Sequence, residues 1–148
     1  MSIIYSIKTK KIIKLKDIFD NLIKKYPNLS AVEEDENNVF FYLYGMSIRG
    51  VNVILNKTKY EIKSNILSNK YDLLLTNDIL KYLSEATHGK VFDDENNILH
   101  DNEFIKENDL EKCFERDLET VFLFIKKQEK LWNFQGQQDH FLLEKKCI

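Results

Sequence analysis

The chain has 148 residues, a formal net charge of -2 and 43% hydrophobic residues, enough for one domain with a real core and no disulfide or metal staple. No apolar run approaches the ~20 residues of a membrane-spanning helix, and the apolar stretch in MSIIYSIKTKK is too short for a secretory leader; a soluble, cytoplasmic protein is expected. Cys113 and Cys147 are too few for a disulfide framework, and four scattered glycines leave no phosphate loop and no Gly-flanked serine elbow.

With Pro27 as the sole proline, no stretch reads as a linker, so a single α+β domain over residues 1–148 is expected. Residues 1–9 read as a strand. From Leu15, the positions Leu15, Ile18, Phe19, Leu22, Ile23 and Tyr26 fall on one helical face, and Pro27 stops the pattern. LSAVEEDENNVFFYLYG reads as a hairpin, because Asp and Asn side chains bond nearby backbone and Asn tolerates the left-handed conformation. The next segment alternates with period two. Val51, Val53 and Leu55 share a face, and Tyr60, Ile62 and Ile66 return after the NKTK turn.

NKYDLLLTNDILKYLSEATHG is predicted to be a helix with a buried stripe of Tyr71, Leu74, Leu75, Ile79, Leu83 and Ala86. Ser68 or Asn69 is available as cap and Gly89 is placed to end it. KVFDDENNIL reads as a second hairpin. A long helix is predicted from Asn108, where Asn108 and Glu111 have capping-box spacing, with Leu110, Cys113, Phe114, Leu118, Val121, Phe122 and Ile125 buried. QQDHFLLEKK reads as a last strand. The fold class expected is α+β, an antiparallel β-meander sheet with helices packed on it.

The string Asp-Glu-Asn-Asn occurs at 35–38 and again at 94–97. A calcium loop needs glycine at its sixth position and a bidentate glutamate at its twelfth. Counting from Asp93 those positions hold Ile98 and Phe104, and from Asp35 they hold Phe40 and Met46, so both loops fail and one turn solution used twice is expected. His88, Asp93, Asp94, His100 and Asp101 could converge on a metal, but their spacing matches no ligand pattern, and no metal or cofactor is expected. Cys113 on an apolar stripe reads as a core thiol, with burial raising its pKa and making it inert; no catalytic residue emerges.

For nucleic acid there are two hints. Lys8, Lys10, Lys11, Lys14 and Lys16 cluster near the start, and RGVNVIL from Arg49 resembles the start of the RNA-recognition strand, which needs stacking aromatics on its sheet face; Phe40, Tyr42 and Tyr44 share a face on the neighbouring strand. Aromatics at strand spacing read as core, Val51 and Leu55 stand where stacking aromatics would be needed, and the net charge of -2 gives no overall attraction to phosphate.

Charge is strongly segregated. Residues 91–119 hold eleven acidic side chains against Lys106, Lys112 and Arg116, whereas 1–27 holds seven lysines against Asp17 and Asp20. Glu111, Glu115 and Glu119 recur four apart on one helical face, where like charges cost tenths of a kcal/mol per pair. Only those near the first turn gain from the helix dipole. A solvated helix face is the competing explanation, but such a surface would also steer association with a basic partner.

With its compact α+β layout, its lack of a catalytic motif and its passage YLSEATHGKVFDDENN leading into an acidic helix, the chain resembles small bacterial immunity proteins. These are the cognate inhibitors of polymorphic or contact-dependent toxins. The resemblance implies binding a toxin domain, often a basic nuclease, in the cytoplasm and occluding its active site or substrate surface. Asp101, Glu103, Glu111, Glu115 and Glu119 are the expected contacts, inferred from the charge pattern. Two alternatives stay open: a small metal-dependent hydrolase using Asp93, Asp94 and His100, and a nucleic-acid-binding regulator using the amino-terminal lysines.

Overall fold

A computed structural model describes residues 2–100, 104, 115–116 and 118–129. They fall in two compact units, Met1–Phe114 and Glu115–Ile148.

The described residues of the first unit form a seven-stranded sheet with two helices. In chain order it runs β1 (Ser2–Lys8), α1 (Leu15–Leu22), β2 (Leu29–Asp35), β3 (Asn38–Leu43), β4 (Val51–Asn56), β5 (Lys59–Asn65), α2 (Lys70–Thr87), β6 (Lys90–Phe92) and β7 (Ile98–Leu99). The strand order is β2-β3-β4-β5-β1-β6-β7, and every neighbouring pair is antiparallel. The expected meander is therefore present as β2 to β5, and the opening strand lies between β5 and β6. This is the α+β class expected.

One sheet face carries the core. Tyr5 and Ile7 of β1, Val39, Phe41 and Leu43 of β3, Val51 and Val53 of β4, and Tyr60 and Ile62 of β5 are all buried there, together with Leu15, Ile18 and Leu22 of α1. Burying nine-tenths or more of each such side chain contributes about 1.5–3 kcal/mol apiece before chain entropy is subtracted. The period-two reading of β4 and β5 holds, except that β5 ends at Asn65 and Ser64, not Ile66, takes the third inward position. The α1 stripe also holds, but the helix stops at Leu22. Ile23, Lys25 and Tyr26 form a closing turn on the carbonyls of Phe19 and Leu22.

On α2 the buried set is Asp72, Leu73, Leu75, Thr76, Ile79, Leu80, Leu83 and Thr87. Leu75, Ile79 and Leu83 were expected; Tyr71 is instead exposed and Leu74 and Ala86 are only half-buried. The face is turned by the buried Asp72, a polar residue that hydrophobic periodicity cannot place. Asn69 is the N-cap, with a full capping box to Asp72. At the other end His88, not Gly89, takes the left-handed conformation, with φ 55°.

Phe40 and Tyr42 overturn the core expectation. Val39, Phe41 and Leu43 point into the core, so Phe40 and Tyr42 lie on the opposite face, stacked with ring centroids 5.6 Å apart, and Tyr44 beyond the strand is 74% exposed.

In the second unit, residues 115–116 and 118–129 are helical. The expected start of the long helix, with Asn108, Leu110, Cys113 and Phe114, and the expected strand at 137–146 lie outside the described residues. Of the expected stripe, Leu118 and Val121 are half-buried, but Phe122 and Ile125 are exposed.

Candidate functional site

Of the five acidic contacts expected, Asp101, Glu103 and Glu111 lie outside the described residues. Glu115 and Glu119 stand one helical turn apart, both exposed, and among the described residues neither has a cation within ion-pair distance. A second acidic group is on the first unit. Glu33, Glu34, Asp35 and Glu36 are all exposed at the tip of the β2–β3 hairpin on the edge strand of the sheet.

The two Asp-Glu-Asn-Asn strings form different turns. In the first, Asp35 Oδ1 accepts the N–H of Asn37 at 2.7 Å across a two-residue connection, and Asn38 Nδ2 donates to Glu34 Oε2 at 2.9 Å. In the second, the acceptor is the residue before the string. Asp93 Oδ1 accepts the N–H groups of Glu95 at 3.0 Å and Asn97 at 2.8 Å, its Oδ2 takes Asn97 Nδ2 at 3.3 Å, and Asn96 adopts φ 62°. The shared device is a carboxylate folded back on its own backbone, set one residue apart in the two copies. Both oxygens of Asp93 are thus occupied inside the turn. Among the described residues no three His, Cys, Asp or Glu side chains are grouped so as to hold a metal ion, and His88 and His100 are both exposed.

Two buried polar groups carry the architecture. The Asp72 carboxylate, wholly inaccessible, accepts N–H groups from Ile48 at 3.2 Å, Arg49 at 2.9 Å, Gly50 at 3.0 Å and Asn69 at 3.2 Å. Tyr60 donates its hydroxyl to the Ile13 carbonyl at 2.7 Å and accepts the Ile13 N–H at 2.8 Å, which fixes the β1–α1 connection to the sheet. Burial raises the Tyr60 pKa, and the hydrogen bond to Ile13 only partly offsets it. Tyr26 is raised much further, by burial first and then by its short hydrogen bond to Asp78, which Lys25 also contacts at 2.9 Å. The Asp72 carboxylate and the Tyr60 hydroxyl are taken up by backbone groups, whereas Asp78 and Lys25 also line an open groove together with Lys81, Tyr82 and Glu85. The sequence signal for Asp72 is the N-x-x-D spacing from Asn69; nothing comparable marks Tyr60.

The sheet face opposite the two helices combines rings and cations. Register places Val32, Phe40, Asn52, Lys63 and Ile4 in one row across β2, β3, β4, β5 and β1. Lys59, Lys8 and Lys90 form another row on β5, β1 and β6, and Lys8 Nζ lies 5.5 Å from the Phe92 ring centroid. Among the described residues no helix is long and apolar enough to cross a membrane. No protein-family model matches the chain, and no match was found among curated proteins or solved structures.

Proposed function

We propose that the chain is a protein-binding inhibitor of the immunity-protein kind, which neutralises a basic toxin domain by occluding its active site or substrate surface without chemistry of its own. The observation that carries this reading is the placement of Glu115 and Glu119: exposed, on successive turns of one helix, and without an ion-pair partner among the described residues. Such a pair costs the helix about 0.2–0.5 kcal/mol, and both residues lie past the first turn of the helix expected from Asn108, so the dipole does not offset it. A basic partner surface would supply the compensation and speed encounter at low salt.

The test is retention of proteins from the native host's lysate on a tagged chain, washed at low and high salt, followed by affinity measurement on the retained partner. A basic protein held at low salt and released at high salt is the expected result. Glu115→Lys with Glu119→Lys should weaken that partner by about tenfold or more, with the far-UV spectrum unchanged. Retention that ignores both salt and charge reversal would reject this contact surface.

A further inference from the structure

A second charged surface lies on the first unit, and its sign is opposite. Lys8, Lys59 and Lys90 are directly paired across β5, β1 and β6, so their side chains leave the same face in a line, roughly 5 Å from strand to strand, with Lys59 Nζ also ion-paired to Glu61 Oε1 at 3.3 Å. At the end of that line, Lys10 and Lys11 from the β1–α1 connection and His88 from the α2–β6 connection close a groove of about 620 Å³. Among the described residues no Asp or Glu lines it, and Lys8, Lys10, Lys11 and Lys90 have no carboxylate within ion-pair distance.

The walls of this groove are fixed. Thr9 Oγ1 donates to the Thr87 carbonyl at 2.9 Å, Thr9 N–H donates to the Thr58 carbonyl at 3.1 Å, and Gly89 N–H donates to Thr87 Oγ1 at 3.2 Å. A side chain at Gly89 would put its Cβ 2.5 Å from Ile7 Cγ2, so the α2–β6 connection lies directly on β1. The lysines do more than neutralise the end of α2, since a helix C-terminus carries only about half an elementary negative charge. The chain's overall charge of -2 does not cancel the cluster either, because charges beyond a Debye length of about 8 Å are largely screened at physiological salt.

We infer that this groove binds the phosphodiester backbone of a single-stranded nucleic acid. A line of cations suits a chain of phosphates better than one phosphate group. Phe92 and Lys8 share their sheet face with Lys63 on β5 and with the stacked Phe40 and Tyr42 on β3, four strands from β6, so basic side chains and aromatic rings occupy one face, the combination that sequence-tolerant single-strand binding uses. Phe92 is the residue placed to stack the first base beside the groove.

The experiment is fluorescence anisotropy of labelled oligo(dT) and oligo(U), on the order of 20 nucleotides, with the full chain over a salt series. Saturable binding at low salt is expected, with log K falling against log salt at a slope near -3, as about four neutralised phosphates of a single strand give. Combined Lys8→Glu, Lys10→Glu and Lys90→Glu should cost about tenfold or more, while Lys16→Glu, Lys24→Glu and Lys81→Glu, an equal charge change elsewhere, should cost less than about threefold. Phe92→Ala should weaken binding without altering the salt slope. A preference between the two strands identifies the sugar and supports the assignment. Absence of binding at low salt, equal losses in the two lysine sets, or pyrophosphate bound as tightly as the strands would overturn it.

Discussion

The Gly50 N–H donates to Asp72 Oδ1 at 3.0 Å, and this bond joins the loop before β4 to the first turn of α2. Oδ2 of the same carboxylate takes Ile48, Arg49 and Asn69, so four backbone donors depend on one fully buried side chain. Asp72→Ala leaves all four without their acceptor, and each unsatisfied buried donor costs about 1–3 kcal/mol, so a loss of at least ~3 kcal/mol in urea unfolding is expected. Asp72→Asn keeps one acceptor oxygen but turns an NH2 group against the other donors, and should lose about 1–3 kcal/mol. An Asn variant within about 0.5 kcal/mol of the parent would show that the second oxygen does not matter.

Gly50 is constrained twice over. Its φ is 67°, and an added Cβ would lie 2.7 Å from the Phe41 carbonyl and closer still to the Phe40 ring. Gly50→Ala combines left-handed strain of about 1 kcal/mol with a clash against backbone that cannot move without breaking the β3–β4 pairing. The expected result is a loss exceeding that of Gly45→Ala, where φ is also positive but nothing stands within 4 Å. Equal losses in urea midpoints would remove the packing part of this account.

Alkaline stability follows from the tyrosines. The folded state holds Tyr26, Tyr60 and Tyr82 as neutral phenols and raises their pKa values, in each case chiefly by burial. The unfolded chain ionises near pH 10, so their contribution is complete below that pH and is lost as pH rises toward the folded-state values. Unfolding free energy should therefore fall above about pH 10, and less steeply in Tyr26→Phe. A Tyr26→Phe variant with an unchanged slope between pH 10 and 12, on the scale set by the free phenol, would count against this linkage.

The twin turns make a positional prediction. Asp35 and Asp94 share a place in the repeated string, yet Asp35 and Asp93 are the residues whose carboxylates accept backbone N–H groups. Asp93→Ala should cost about 1 kcal/mol and Asp35→Ala less, because it loses one such bond rather than two, while Asp94→Ala should stay within about 0.5 kcal/mol. Thermal melts of the three variants rank them directly. Asp94 proving the most sensitive would mean that string position, and not the observed bonding, sets the turn.

Where local chemistry dominates, the sequence reading succeeded. Strand alternation in Val51–Leu55, the helical stripe from Leu15 and a cap at Ser68 or Asn69, which the structure places at Asn69, each rest on neighbours within a few residues. It missed features set by distant partners. Asp72 faces inward because backbone 22 to 24 residues away needs an acceptor, and that need turned the buried face of α2 away from Tyr71. Phe40 and Tyr42 were assigned to the core because a strand of five consecutive apolar or aromatic residues, Val39 to Leu43, carries no polar mark of its outer face. The candidate groove was half legible. Lys8, Lys10 and Lys11 are visible as a run, but only the β1–β6 pairing brings Lys90 and Phe92 beside them.

The junction from α2 to β6 offers two adjacent positions that should respond with opposite sign. His88 holds φ 55° and ψ 22° at the helix end, a conformation that costs a residue with a side chain about 1 kcal/mol and glycine nothing. Gly89, which sequence spacing placed to end the helix, has no positive φ and is instead small because an added Cβ would lie 2.5 Å from Ile7 Cγ2 and 3.1 Å from the Lys8 carbonyl. His88→Gly should therefore stabilise the fold by about 0.5–1 kcal/mol, less the entropy that glycine adds to the unfolded chain. Gly89→Ala should destabilise it by about 1–3 kcal/mol, because the new methyl presses on a buried side chain and on backbone of the central strand β1. Differential scanning calorimetry on the two variants reads both signs. If His88→Gly instead lowers the melting temperature, His88 makes a stabilising contribution larger than the left-handed strain it carries.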